Sequence, residues 1–419
     1  MFYKINGCRI CGNRDLVSVL CLGEQYLTGV FPRVRDANIT TGPLELVACQ
    51  TKGHDSACGL VQLRHTFNLN EMYGDHYGYR SSLNKAMIAH LHEKVANLLL
   101  RVPLRAGDLV LDIGSNDGTL LSAYPATAAT VVGVDPAAQK FASFYPPHIE
   151  LVAGFFTAEL FQERFGGRKA RIITSIAMFY DLESPMEFMR NVASILADDG
   201  IWHFEQSYLP SMLRTKSYDT VCHEHIEYYS LKQIKWMADR CGLKIVDVEF
   251  NSVNGGSFAV TAAKAESAMA AKNDRIEEIL SEEDAKGLAD SVLCHEFEAE
   301  VHSHKEKLLA LLRGLKAEGK TVLGYGASTK GNVLLQFCGI TTDLLPCIAE
   351  VNSDKFGCFT PGTNIPIVSE KEAHALNPDY LLVLPWHFRD SLILRESEYL
   401  QRGGKMIFPL PSLEIYSAV

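Results

Sequence analysis

The stretch Leu109-Val-Leu-Asp-Ile-Gly-Ser-Asn-Asp-Gly118 constrains the fold more than any other part of the chain. Leu109–Ile113 reads as a buried strand, and a helix-like run follows Gly118. Gly114 and Gly118 let the backbone turn sharply and come close to a ligand. The next apolar run, Thr130–Val134, leads directly into Asp135. Further strand candidates are Ile149–Ala153, Ala170–Ser175, Gly200–Glu205 and Leu243–Phe250, with helix-like segments between them. That alternation predicts an α/β fold with a doubly wound sheet.

The rest of the chain divides around this core. Residues 1–75 are rich in loops and cysteines and read as a small separate module. Residues 76–300 hold the alternating pattern. From about Asn273 to Gly319 the sequence turns charged and helical, with Ile276, Ile279, Leu280, Phe297, Leu308 and Leu312 on apolar stripes. These helices are expected to bridge to a third unit, residues 301–419, or else to lie on the surface of one domain. Its strand candidates are Thr321–Tyr325, Leu345–Ala349, Tyr380–Val383 and Lys405–Phe408, a small Rossmann-like pattern.

Charge and hydropathy exclude some functions. With 40 basic and 50 acidic side chains the net charge is −10, and no basic run offers a nucleic-acid surface. No stretch of about eighteen apolar residues is present to span a membrane, and the N-terminal residues lack the apolar core of a signal peptide. The expectation is a cytoplasmic protein, taken as a monomer. In that compartment clustered cysteines point to metal before disulfides. Cys8-Arg-Ile-Cys11 is one pair, and Cys49 with Cys58 is a second about forty residues on. Four thiolates on two loops can close a structural zinc site, with no open position for chemistry. The eight residues between Cys49 and Cys58 include His54, a candidate replacement for one sulfur. Cys21 reads as core.

The loop after Leu109–Ile113 has the spacing Asp-x-Gly-x-x-x-Gly, unlike the GxGxxG of nicotinamide binding. An acid at the end of the following strand, Asp135, suits ribose hydroxyls. A plain βα turn and a site for another nucleotide such as NAD are the competing readings. The loop resembles the first motif of the class I S-adenosylmethionine methyltransferases. That resemblance implies that Asp112, Gly114, Asn116 and Gly118 form the cofactor loop, with Asp112 near the amino group. It also implies Phe155 and Phe156 beside the adenine and Ala177 on the methionine side.

Downstream, Tyr218-Asp-Thr-Val-Cys-His-Glu-His-Ile-Glu-Tyr-Tyr229 packs two histidines, two glutamates and three tyrosines into twelve residues. Histidine is the usual base near neutral pH, and a neighbouring carboxylate raises its basicity. The alternatives are a polar loop satisfied within the fold, or a metal held by His223, Glu224 and His225.

Taken together, the cysteine module, the Asp-Ile-Gly-Ser-Asn-Asp-Gly loop, the His-Glu-His segment and Tyr325-Gly-Ala-Ser-Thr-Lys-Gly-Asn332 resemble the nucleotide-sugar C-methyltransferases, over nearly the whole chain and in order. What this resemblance implies is an N-terminal zinc-binding module, a class I S-adenosylmethionine domain and a C-terminal Rossmann-like domain. The substrate would be a nucleotide-diphosphate 4-keto-6-deoxysugar, bound between the last two and methylated at C3. His225 would be the general base, supported by Glu224, with His223 and Tyr180 as further catalytic candidates. Two positions depart from the family pattern: Tyr180 stands where a histidine is usual, and Cys222 where a tyrosine is. Both bear on the sugar type and the protonation partners.

Candidate substrate contacts are spread over several loops. Tyr77, Tyr79, Arg80 and Ser81 open the middle domain, and Asn254 lies in a Gly-rich turn. Tyr325, Ser328, Lys330 and Asn332 sit where a strand passes into a helix, a place suited to pyrophosphate. Asn352 and Trp386 end later strands, Trp386 being equally a core candidate. An O- or N-methyltransferase of a small metabolite, and a non-catalytic scaffold, remain as alternatives.

Overall fold

A computed structural model describes residues 2–35, 37–54, 56–68, 72, 79–126, 129–287 and 291–418. Three sheets carry the architecture. The N-terminal strands are β1 (Phe2–Lys4), β2 (Leu16–Tyr26), β3 (Thr41–Cys49), β4 (Val61–Leu63) and β5 (His65–Phe67). β2, β3 and β4 form an antiparallel sheet, and β1 pairs with β5.

The central strands are β6 (Leu109–Ile113), β7 (Thr130–Asp135), β8 (Ile149–Ala153), β9 (Ala170–Ile176), β10 (Leu196–Ser207), β11 (Glu227–Tyr228), β12 (Leu243–Asn251) and β13 (Ser257–Lys264). Seven of them form one sheet in the order β12-β13-β10-β9-β6-β7-β8, parallel except for β13. All five residues of β6 are buried, as expected of a strand covered on both faces. The order reverses between β6 and β9, and doubly wound sheets bind ligands at such a switch point, outside the carboxyl ends of the strands. Ring packing fixes the core beneath it. Trp202 stacks on Phe204 at 4.1 Å, and Phe179 meets Trp202, Phe204 and Tyr229 at 5.4–5.5 Å. Each such buried ring contributes about 1.5–3 kcal/mol of transfer free energy.

β11 leaves this sheet and adds antiparallel to the edge of the N-terminal one, with Glu227 opposite Gln62 and Tyr228 opposite Val61. The segment carrying the histidines is thereby tied to the cysteine module. Helices Asn273–Ala285 and Ser291–Ala317 follow, the second running through residue 300 and packing on β2 as well as on the C-terminal sheet. That last sheet comprises β14 (Val322–Tyr325), β15 (Ile348–Glu350), β16 (Ile367–Ser369), β17 (Tyr380–Val383), β18 (Lys405–Phe408) and β19 (Glu414–Tyr416). Its order is β16-β15-β14-β17-β18-β19, with only β19 antiparallel. One hydrophobic cluster joins β2–β4, the 218–228 segment and this sheet. Cys21, expected in the core, is exposed, because β2 turns it to the outer face while Leu20 and Leu22 point in. No helix among the described residues is long and apolar enough to cross a membrane.

Candidate active site and cysteine centre

The four sulfurs of Cys8, Cys11, Cys49 and Cys58 lie within 4.8 Å of one another. Cys8 and Cys58 are 3.4 Å apart, Cys11 and Cys49 3.5 Å. A zinc–thiolate tetrahedron has edges of about 3.8 Å, so the cluster fits the ion. Second contacts support it: Asn13 Nδ2 donates to Cys49 Sγ at 3.6 Å, and Gln233 Nε2 to the Cys58 carbonyl at 2.9 Å. His54 stands apart, its Nε2 3.4 Å from Asp15 Oδ2, so it is not a ligand.

A cavity of about 970 Å³ opens where the carboxyl ends of the two Rossmann-like sheets face each other. On one side it is lined by Asp112, Gly114, Asn116, Asp135, Phe155, Phe156 and Ala177. Gly114, Asn116 and Gly118 have φ of +76°, +50° and +74°, which shapes the sharp loop after β6. A Cβ on Gly114 would meet Met178 Cγ at 2.9 Å. Asp135 is gripped at its ends by the Asn116 and Ala137 amides, at 2.8 and 2.7 Å. Asp112 accepts from Thr174 Oγ1 at 2.6 Å, and burial pushes its carboxyl up to about 7. Ala177 carries a left-handed φ of +54°, an uncommon strain for alanine that turns the chain at the end of β9. Phe156 is buried on Phe188, whereas Phe155 is half exposed at the rim. Gly118 shapes the loop from behind, against Tyr145, rather than lining the cavity.

The segment 79–84 closes over this side. Ser81 and Ser82 amides donate to Asn116 Oδ1 and Asp117 Oδ2, at 3.1 and 3.0 Å. Asn116 Nδ2 donates back to the Tyr79 carbonyl at 3.1 Å, and Arg80 lies over the Phe144 ring at 4.1 Å. Tyr79, Arg80 and Ser81 line the cavity. Tyr77 lies outside the described residues.

The opposite side is built by Tyr325, Ser328, Lys330 and Asn352, with Asn254 between the sheets. Ser328 caps helix Thr329–Cys338 by accepting from the Gly331 amide at 3.0 Å. Lys330 Nζ donates to the Asn254 carbonyl at 3.1 Å, and burial lowers its pKa. Tyr325 hydroxyl sits 2.8 and 2.7 Å from Glu370 and Glu396. Glu350 ties this loop together, accepting from the Ala327, Val351 and Asn352 amides. Two expected contacts lie elsewhere. Asn332 is buried and donates to the Thr28 carbonyl at 2.7 Å, anchoring the N-terminal module. Trp386 faces a neighbouring cleft of about 920 Å³ and donates to Asp219 Oδ2 at 2.8 Å.

Between the two sides sit His225, Glu224 and Tyr180. His225 Nδ1 lies 3.1 Å from the Thr220 carbonyl, so Nδ1 carries the proton and Nε2 keeps its lone pair. The imidazole packs on the Tyr180 ring at 4.3 Å. Burial, with the Lys330 charge, lowers its pKa to about 3, so the ring is neutral. Burial raises the Glu224 carboxyl, and Oε2 is sealed without a hydrogen-bond partner. His223 points the other way: it is fully buried against Phe67 at 4.5 Å and does not line the cavity. The chain bends at residues 223–224, and His223 packs on Phe67 while His225 meets the cavity, so the two histidines do not share one ion.

Several lining residues escaped the sequence reading. Gly29 and Phe31 come from the link between β2 and β3, with Lys355 over the Phe31 ring at 4.2 Å. Glu205 accepts from Asn251 Nδ2 at 2.7 Å, with Lys94 Nζ at 2.5 Å and His90 Nε2 at 2.8 Å. Against the cost of burial, those partners hold its carboxyl down to about 2. The acid at the end of β10 was the one available signal for Glu205; nothing local marked Gly29 or Phe31.

Known proteins sharing these features point the same way. Residues 8–73 match a zinc binding domain family, residues 87–248 a methyltransferase domain, and residues 252–411 the C-methyltransferase C-terminal domain. C-methyltransferase NovU of Streptomyces niveus is 34% identical over 419 residues, covering 99% of this chain and 97% of that one. Among solved structures, the CcbJ methyltransferase of Streptomyces caelestis is 16% identical over 42% of this chain and 89% of its own, with a TM-score of 0.33. A Burkholderia thailandensis 1,6-didemethyltoxoflavin-N1-methyltransferase is 14% identical over 44% of this chain and 81% of its own, with a TM-score of 0.34. Those two likenesses are slight and carry no argument. The three family matches and the full-length relative do: the chain belongs to the S-adenosylmethionine-dependent C-methyltransferases with an N-terminal zinc-binding domain.

Proposed function

We propose that this enzyme methylates C3 of a nucleotide-linked 4-keto-6-deoxysugar, with His225 as the base that removes the C3 proton. The observation that carries the reading is the state of His225. Its Nδ1–H is committed to the Thr220 carbonyl, and its neutral Nε2 lines a cavity shared by both Rossmann-like sheets. A proton on carbon becomes acidic beside a ketone only if the enolate oxygen is stabilised, and a base without donors would not suffice. Burial raises the Glu224 carboxyl, which favours its protonated form, and a protonated Glu224 in this cavity would be such a donor. Tyr180 holds the imidazole face.

On the cofactor side, Asp112, the Gly114–Gly118 loop, Asp135 and Phe156 are the groups that would hold S-adenosylmethionine. When bound, the sulfonium supplies an electrophilic methyl group beside the sugar carbon. On the substrate side, Lys330 and the amides opening helix Thr329–Cys338 offer positive charge to a diphosphate. Tyr79, Arg80 and Ser81 would close the entrance and keep water from the enolate. The three units of this reading span residues 1–75, 76–300 and 301–419, with the second joint falling inside helix Ser291–Ala317. The test is mass spectrometry of products after incubation with TDP-, GDP- and CDP-linked 4-keto-6-deoxysugars. A product heavier by one methyl, carried on C3, is expected; methylation on oxygen or nitrogen alone would overturn the reading.

A further inference from the structure

Arg9 lies inside the Cys8–Cys11 pair, yet its guanidinium turns away from the sulfurs. Nη1 donates to the Leu63 carbonyl at 2.7 Å and to Gln62 Oε1 at 3.2 Å. Nη2 donates to Thr66 Oγ1 at 2.7 Å and to the His65 carbonyl at 3.3 Å. The Arg9 amide also donates to Gln62 Oε1 at 3.1 Å. One side chain thus clasps β4 and β5 along their length.

β4 is the strand that receives β11. Gln62 stands opposite Glu227 and Val61 opposite Tyr228, and the Leu63 amide donates to the Ile226 carbonyl at 2.8 Å. The Ile226 amide in turn donates to the Tyr180 carbonyl at 3.0 Å. His225 is the next residue back. Glu227 is buried, which raises its carboxyl, and the Arg9 charge is the largest influence opposing that rise.

We propose that Arg9 is a positioning residue for methyl transfer: it carries the order of the cysteine knuckle through β4 and β11 to His225 and Tyr180. The zinc site would then serve the geometry of the base and not only the folding of a small module. This rests on His225 being the base. Its local readout, however, does not depend on that assignment.

The test uses the full-length, zinc-loaded protein with Arg9→Met, Arg9→Lys and Gln62→Leu. Zinc content, S-adenosylmethionine affinity, amide hydrogen exchange of residues 218–229 and turnover of TDP-4-keto-6-deoxyglucose are measured together. For Arg9→Met, zinc content and cofactor affinity should stay within twofold of wild type. Exchange in 218–229 should quicken, and kcat should fall, each by about tenfold. Arg9→Lys should recover part of both losses. Gln62→Leu keeps all four cysteines and the Arg9 side chain while removing the acceptor shared by the Arg9 amide and Nη1; it decides the matter if Arg9→Met loses zinc, and it should show the same paired change. Unaltered exchange in 218–229, or faster exchange with undiminished kcat, would overturn the proposal. Failure of the base assignment would show separately, as wild-type turnover in His225→Ala.

Discussion

Gly326→Ala should weaken nucleotide binding and leave the cofactor side untouched. Gly326 follows β14 with φ +81°, in the left-handed region where an alanine costs about 1–2 kcal/mol. A Cβ there would stand 2.6 and 2.7 Å from Pro385 Cγ and Cδ. A proline ring cannot rotate away, so overpacking adds about 1–3 kcal/mol. The sum is at least about 2 kcal/mol, or about thirtyfold in affinity if the loop shifts to absorb it. Gly114→Ala is the matched control on the other sheet. Its φ is +76° and its neighbour, at 2.9 Å, is the flexible Met178 side chain, so the backbone term of about 1–2 kcal/mol dominates. Titration calorimetry with TDP and with S-adenosylmethionine separates the two. Gly326→Ala should lose TDP affinity alone, and Gly114→Ala cofactor affinity alone. Equal losses of both ligands in either variant, or TDP affinity within twofold of wild type in Gly326→Ala at unchanged Tm, would refute the two-sided cavity.

Three further outcomes follow from the geometry. Cys49→Ser should lower both zinc content and Tm, whereas His54→Ala should keep one zinc per chain by elemental analysis, since His54 pairs with Asp15 instead. Asp112, raised to about 7 by burial, must be ionised to greet a cationic amino group. S-adenosylmethionine affinity should therefore fall about tenfold between pH 8 and pH 6, with the pH 7 value in between; in Asp112→Asn that slope should vanish. His203 and His223 are buried neutral, with pKa lowered to about 3 by desolvation. The unfolded chain takes up protons below about pH 6.5 that the fold refuses. Stability is thus intact above that pH and lost below it, by about 1.4 kcal/mol per unit for each histidine. Denaturant unfolding at pH 7.5 and 5.0 should show this, and His223→Leu should reduce the slope by one histidine's share, about 1.4 kcal/mol per unit.

Much of the fold was legible because its strands are covered on both faces and read as plain apolar runs. β6 to β9 stand within a residue or so of their expected bounds. The three-residue strands β16 and β19 were not seen, being too short to leave a periodic signal. The cofactor loop was legible for the same reason as its turn, since only glycine or asparagine sits easily at φ near +50° to +76°. Long-range partners were not. His223 and His225 are indistinguishable by type, and only the pairing of β11 with β4 decides which one meets the cavity. Asn332, in the first turn of helix Thr329–Cys338, and Trp386, after β17, looked like ligand contacts, but Thr28 and Asp219 claim them from far away in sequence. Cys21 misled because apolar neighbours suggested a buried position, while strand alternation turned it out.

The most direct measurement of the central claim is deuterium exchange at C3 of TDP-4-keto-6-deoxyglucose, followed by NMR in D₂O without a methyl donor. Wild-type enzyme should wash deuterium into C3, and His225→Ala should slow that exchange by roughly 10²–10⁴-fold. Exchange at the wild-type rate in His225→Ala, or methyl transfer to carbon with no exchange at C3 in either protein, would contradict it.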